Sequence, residues 1–101
     1  MAQIVWARRA IADLAEIAEY IALDDEAAAV RLTERVYSHV EILSNHPRSG
    51  SVPLELEGRE YRQIIEPPCR VFYKVKRGTV YIVHIIRSER ILRLKNLRDQ
   101  E

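Results

Sequence analysis

At 101 residues, with 48% apolar and 31% charged side chains and few Gly or Pro, the chain has the balance of one folded domain, residues 1–101, and is too apolar to be disordered outside its last few positions. No apolar run approaches the roughly 20 residues of a membrane span, and the first residues lack the basic-then-apolar layout of a signal peptide, so no membrane contact and a cytoplasmic location are expected. The single Cys69 excludes an internal disulfide, and the scattered His39, His46 and His84 offer no zinc spacing, so no metal or other cofactor is expected.

The net charge of +1 hides an asymmetry. Residues 1–57 hold five Lys/Arg against ten Asp/Glu, a balance of −5, and residues 58–101 hold eleven against five, a balance of +6. A folded chain should therefore be dipolar, with its positive side turned to nucleic acid or to an acidic protein segment, unless the charges merely solvate two faces.

Gln3-Ile-Val-Trp6 is β-prone and too short to stand alone, which predicts a strand added to a later sheet. From Arg8 the period changes. Ile11, Leu14, Ile17 with Ala18, and Ile21 recur at helical spacing, with Arg9, Asp13, Glu16 and Glu19 mostly opposite, predicting an amphipathic helix that ends near Leu23. Arg9 and Asp13 are four apart and can pair. Asp24-Asp25-Glu26 supplies a cap and negative charge for a second helix, whose stripe is Ala29, Leu32, Val36, Val40 and Leu43. The facing stripes predict an antiparallel helical hairpin, with Tyr37 and His39 as boundary residues. Ser44-Asn45-His46-Pro47 ends the helix, and Pro47 to Pro53 reads as a loop in which His46 has no partner for catalysis.

Three β-prone runs follow: Arg59 to Glu66, Cys69 to Lys76 and Thr79 to Arg87, separated by Pro67-Pro68 and Arg77-Gly78. They predict an antiparallel meander carrying arginine at or near its strand ends. In the middle run Cys69, Val71, Tyr73 and Val75 form an apolar row, the expected seat of the hairpin, opposite Arg70, Phe72, Lys74 and Lys76. Val80 to Ile86 is apolar on both faces apart from Tyr81 and His84, which predicts an internal strand and a buried, hydrogen-bonded imidazole alternating with Val80, Ile82 and Ile86. From Ser88, a candidate cap, Ile91, Leu94 and Leu97 recur among Arg90, Arg93, Lys95 and Arg98, predicting a short basic C-terminal helix. The fold class expected is α+β, a single sheet with the helices on one face.

The order of these elements resembles a known family. Asp13-Leu14, Ile17 and Tyr20-Ile21 in the first helix, Leu43, Pro47 and Gly50 after the second, Glu55-Leu56 with Tyr61-Arg62, Cys69 to Val75 and Val80 to Arg87 together look like the ParE/RelE superfamily of bacterial toxins. The resemblance spans nearly the whole chain and implies the toxin of a type II toxin–antitoxin pair, neutralised by a cognate antitoxin.

The RelE-like branch cleaves messenger RNA in the ribosome. Such cleavage needs a proton acceptor for the 2′-hydroxyl, cations for the developing charge and a proton donor for the leaving oxygen. By position Arg62, Arg70 and Arg87 match that branch's basic residues. Where its Tyr or His is expected, this sequence has Ser88, Glu89, Arg90 and Ile91; arginine titrates too high to shuttle protons, and only Glu89 remains as a base.

The match is nearer the ParE-like branch, which lacks the nuclease residues and poisons DNA gyrase, although Ile86-Arg-Ser-Glu-Arg90 stands where His-Gly-Ala-Arg is often found. The resemblance thus implies a non-enzymatic gyrase inhibitor, with a ribosome-dependent endoribonuclease as the alternative and a degenerate antitoxin-binding module as a third reading. Arg62, Arg70, Lys74, Arg87, Arg90 and Arg93 are the residues expected to meet target or antitoxin, unless Arg62, Arg70 and Arg87 simply pair with Glu60, Glu66 and Glu89. A disordered acidic segment of the antitoxin is expected to fold onto the hairpin groove and the basic sheet face. The hairpin also offers a surface for homodimerisation.

Overall fold

The computed structural model describes residues 1–90, 92–93 and 96–97. In chain order they form β1 (Gln3–Trp6), α1 (Arg8–Ala22), α2 (Glu26–Ile42), a 3-10 turn (Leu54–Leu56), β2 (Tyr61–Glu66), β3 (Cys69–Lys76) and β4 (Thr79–Arg87). The four strands make one sheet in the order β1-β4-β3-β2. β2, β3 and β4 are the expected antiparallel meander, while β1 lies parallel to β4, with Gln3 opposite Thr79 and Trp6 opposite Ile82. β4 is therefore internal, which is why it is apolar on both faces.

The local chemistry explains the breaks. Arg77 and Gly78 both have positive φ, 52° and 76°, the geometry of a two-residue turn whose twist matches the flanking strands. At the head of α2 the Asp25 carboxylate accepts from the Ala28 N–H at 3.0 Å, satisfying one orphan donor of the first turn. Between α2 and the 3-10 turn the loop is tied to β2 by a bridge from Ser51 to Gln63. The Gly50 N–H donates to the Tyr73 hydroxyl at 2.9 Å. A Cβ on Gly50 would lie 2.5 Å from that oxygen and 2.6 Å from the Gln63 carbonyl, so only glycine lets the loop approach so closely.

The hairpin covers one sheet face. Leu32, Val36, Val40 and Leu43 from the α2 side meet Cys69, Val71, Tyr73, Ile64, Val80, Ile82 and Ile85. In α1 the expected stripe holds at Leu14, which is buried, and at Ile17 and Ile21, which pack partly, but its first position is the buried Ala10, while Ile11 is 48% exposed. Residues 10 and 11 both stand at helical spacing from Leu14, so periodicity alone did not choose between them.

The other sheet face differs from expectation. Instead of an open basic surface it holds a second apolar cluster in which Phe72, Tyr61 and Val83 are covered by Leu56, Leu92 and Leu97. Phe72 is wholly buried and Lys74 is 7% exposed, lying 3.6 Å from Glu60. Ser88 does not cap a helix. Its hydroxyl donates to the Pro68 carbonyl and residues 88–90 form a turn. Of the C-terminal helix expected from Ser88 to Arg98, residues 92–93 are not helical and 96–97 have helical backbone, while 91, 94–95 and 98 lie outside the described residues.

Candidate functional site

Of the guanidiniums expected to act together, Arg62 and Arg70 are on opposite sides of the sheet. Arg62 stands opposite Tyr73, on the row with Ile64 that faces the helices, whereas Arg70 lies over the ring of Phe72 at 4.9 Å, on the other face. Arg62 donates to the carbonyls of Gly50, at 2.8 Å, and Arg48, at 3.2 Å, and so holds the loop after α2. Arg70 makes a bidentate pair with Glu55, at 2.9 and 3.0 Å, and donates from Nε to Gln63 Oε1. That fork is what holds the Glu55 carboxyl below its ordinary range, against an opposing effect of partial burial.

Arg87 donates to Glu89 at 2.8 Å and lies 5.4 Å from the ring centroid of Tyr20. Of the three pairings expected from sequence, Arg87 with Glu89 is the one the structure contains. Glu60 instead meets Lys74, and Glu66 takes Arg35 at 3.2 Å and His39 at 3.1 Å, tying α2 to the end of β2. Glu89 is held below the usual carboxylate range, first by its own backbone N–H and then by Arg87, which makes it a poorer proton acceptor.

The most highly connected carboxylate belongs to Asp13. β1 stops after Trp6, with the Ala7 N–H donating to the Ile82 carbonyl, and beyond that point β4 has no strand on this edge. α1 takes over. Asp13 Oδ2 accepts from the Ile85 N–H at 3.0 Å and from His84 Nδ1 at 2.6 Å. Because the same oxygen accepts the backbone N–H, Nδ1 is the protonated nitrogen of the ring.

His84 is 3% exposed and its Nε2 is buried without a hydrogen-bond partner. A β-bulge sits beside it: Phe72 pairs with His84 but Tyr73 pairs with Ile82, leaving Val83 as the extra residue. The bulge breaks the expected alternation, so that Val80, Ile82 and Ile85 face the hairpin while Val83 and Ile86 join the other cluster. Sequence reading placed His84 in the interior with a hydrogen bond, as found. It missed Asp13 as the partner, because a residue 71 positions away on the polar side of an amphipathic helix gives no local signal.

Beside this junction α1, the end of β4 and the following turn enclose a cleft of about 610 Å³. Arg9, Arg87, Arg90 and Arg93 line it, so the structure brings together three of the six expected contact residues; Arg62, Arg70 and Lys74 lie elsewhere.

The model of a family described as the ParE toxin of the type II toxin–antitoxin system, parDE, matches residues 4–92. This chain belongs to the ParE toxin family. Among its similar proteins, Toxin RelE2 of Caulobacter vibrioides is 35% identical over 92 residues, covering 90% of this chain and 100% of that protein. Putative toxin Y4kP of Sinorhizobium fredii is 32% identical over 75 residues, 74% of this chain and 77% of that one. In structure, a chain of the chromosomal ParDE toxin–antitoxin system of P. aeruginosa superposes with a TM-score of 0.73 at 26% identity, covering 88% of this chain and 98% of its own. The α+β architecture is thus that of a ParE/RelE-superfamily type II toxin. Among the described residues of this family member, no helix is long and apolar enough to cross a membrane.

Proposed function

We propose that this ParE-family toxin acts by binding DNA gyrase and not by cutting RNA, and that an acidic segment of a cognate antitoxin neutralises it. The observation that supports the reading is the separation of Arg62 from Arg70 by the thickness of the sheet, each committed to internal acceptors. Guanidiniums so placed do not close on a single phosphate, and charge stabilisation in phosphodiester cleavage requires that they do. The neighbouring proton carriers argue the same way. Glu89 is a weakened base, and the free nitrogen of His84 is buried where a ribose hydroxyl does not reach it.

Purified toxin is expected to inhibit supercoiling by gyrase and to accumulate cleaved DNA. Unimpaired supercoiling at a large molar excess overturns the proposal. The competing endoribonuclease reading has its own signature, codon-linked cuts on translating ribosomes that disappear in Glu89→Gln. For the antitoxin, the hairpin presents Ile11, Leu23, Val30 and Ile42 to solvent, an apolar surface suited to a segment that folds on binding. Co-purification of toxin and antitoxin, weakened by Leu23→Asp, is the expected result.

A further inference from the structure

The cleft between α1 and the end of β4 contains donors without a hydrogen-bond partner among the described residues. Among the described residues the Arg90 and Arg93 side chains make no hydrogen bond, although the Arg90 charge acts on Glu89. Arg9 forms the expected i,i+4 ion pair with Asp13 at 3.9 Å, but its buried Nε makes no hydrogen bond. Asp13 already serves His84 and the Ile85 N–H, and Glu89 already serves Arg87. Four guanidiniums, of Arg9, Arg87, Arg90 and Arg93, line one cavity against three carboxylates, of Asp13, Glu16 and Glu89. The donors not used among the described residues fit an anion with several acceptor oxygens, and the fork geometry of arginine favours phosphate.

Two further features narrow the ligand. Tyr20 is 65% exposed at the cleft even with the Arg87 guanidinium near its ring, which leaves aromatic surface for a planar partner. Glu16 lines the same cleft and has no partner among the described residues; a carboxylate beside bound phosphate is suited to accept hydrogen bonds from ribose hydroxyls. The volume, about 610 Å³, is that of a small-ligand site. We propose that this cleft binds a nucleoside phosphate. The proposal goes beyond target inhibition and does not depend on which macromolecule the toxin arrests.

Calorimetric titration of the full-length chain at low salt with ADP, pyrophosphate and adenosine tests it. ADP should bind saturably with a Kd of about 1 mM or tighter, and pyrophosphate and adenosine should each bind about tenfold more weakly. Arg90→Ala combined with Arg93→Ala should weaken ADP about tenfold, and Tyr20→Ala should weaken ADP while leaving pyrophosphate unchanged. These side chains are exposed, so thermal melts of the variants should match the parent. No saturable ADP binding, equal affinity for ADP and pyrophosphate, or ADP binding indifferent to loss of both arginines would each overturn the proposal. A supercoiling assay that failed would leave these outcomes untouched, and the reverse holds equally.

Discussion

The two faces of the sheet are built by different means. On one, two regular helices lay periodic apolar stripes over Cys69, Val71, Tyr73 and their neighbours. On the other, Phe72, Tyr61 and Val83 are roofed by Leu56 of the 3-10 turn, by Leu92 in irregular chain and by Leu97 beyond β4. A helix brings several contacts for each residue whose backbone is ordered, because its hydrogen bonds and its packing share one geometry. Irregular segments contribute one side chain at a time. The second face therefore depends more heavily on its central ring, and on polar pins such as Arg70–Glu55 that hold the covering chain in place.

The sharpest way to break that comparison is to hollow each face in turn. Leu32→Ala on the helix side should cost about 2–5 kcal/mol and Phe72→Ala on the other about 3–5 kcal/mol, read from urea unfolding at unchanged m-value. Phe72 is fully buried and carries the Arg70 guanidinium over its ring, so its removal loosens the Glu55 pair as well. A cost below about 1 kcal/mol for Phe72→Ala would mean that the second cluster is shielding and not core.

The same contrast governs what the amino-acid sequence made legible. Where burial follows a period, it was readable: α2's buried residues are the predicted stripe, and the Cys69-to-Val75 row lies under the hairpin. At the end of a stripe two spacings fit equally, which is why Ile11 reads as inward although Ala10 takes that place, while Leu14, Ile17 and Ile21 pack as expected. For the second face the period read after β4 named Leu97 but not Leu92, and Leu56 stands in a distant turn, so Phe72 reads as one apolar residue in a basic row. Among the candidate residues, the short-range pair Arg87–Glu89 was visible, whereas Arg70 with Glu55 and Asp13 with His84 join residues 15 and 71 positions apart through tertiary structure.

The rim where the faces meet offers a finer test. His84 stacks on Phe72 of the second cluster at 6.3 Å between ring centroids, and is held by Asp13 from a helix of the first. Asp13→Ala leaves two buried donors unpaired, at about 1–3 kcal/mol each, so a total loss of about 2–6 kcal/mol is expected. Asp13→Asn keeps one acceptor oxygen and should lose about half of that. Hydrogen exchange at the Ile85 amide separates this from general destabilisation, because that N–H should open in Asp13→Ala while amides in the middle of β3 stay protected. Unchanged stability of Asp13→Ala would show that β4 does not need its substitute for a missing strand.

Alkaline titration isolates the helix-covered face with the smallest expected effect. Burial pushes the Cys69 thiol up from its ordinary 9.0 to about 11, with the charges of Arg87 and Arg35 working in the opposite direction. Burial raises Tyr73 as well, opposed by its bond to the Gly50 N–H. A raised acid is protonated in the folded chain and ionises first in the unfolded one. The stability it contributes is intact below about pH 9 and falls as the pH rises to about 11, by at most about 2–3 kcal/mol for Cys69. In Cys69→Ala the level at pH 8 should drop slightly through lost packing, but the fall between pH 9 and 11 should become shallower, leaving the contribution of Tyr73. Because both groups lie beneath the hairpin, the difference in slope measures how firmly that face excludes water. Identical slopes in the two proteins would mean that the thiol meets solvent before the helices let go.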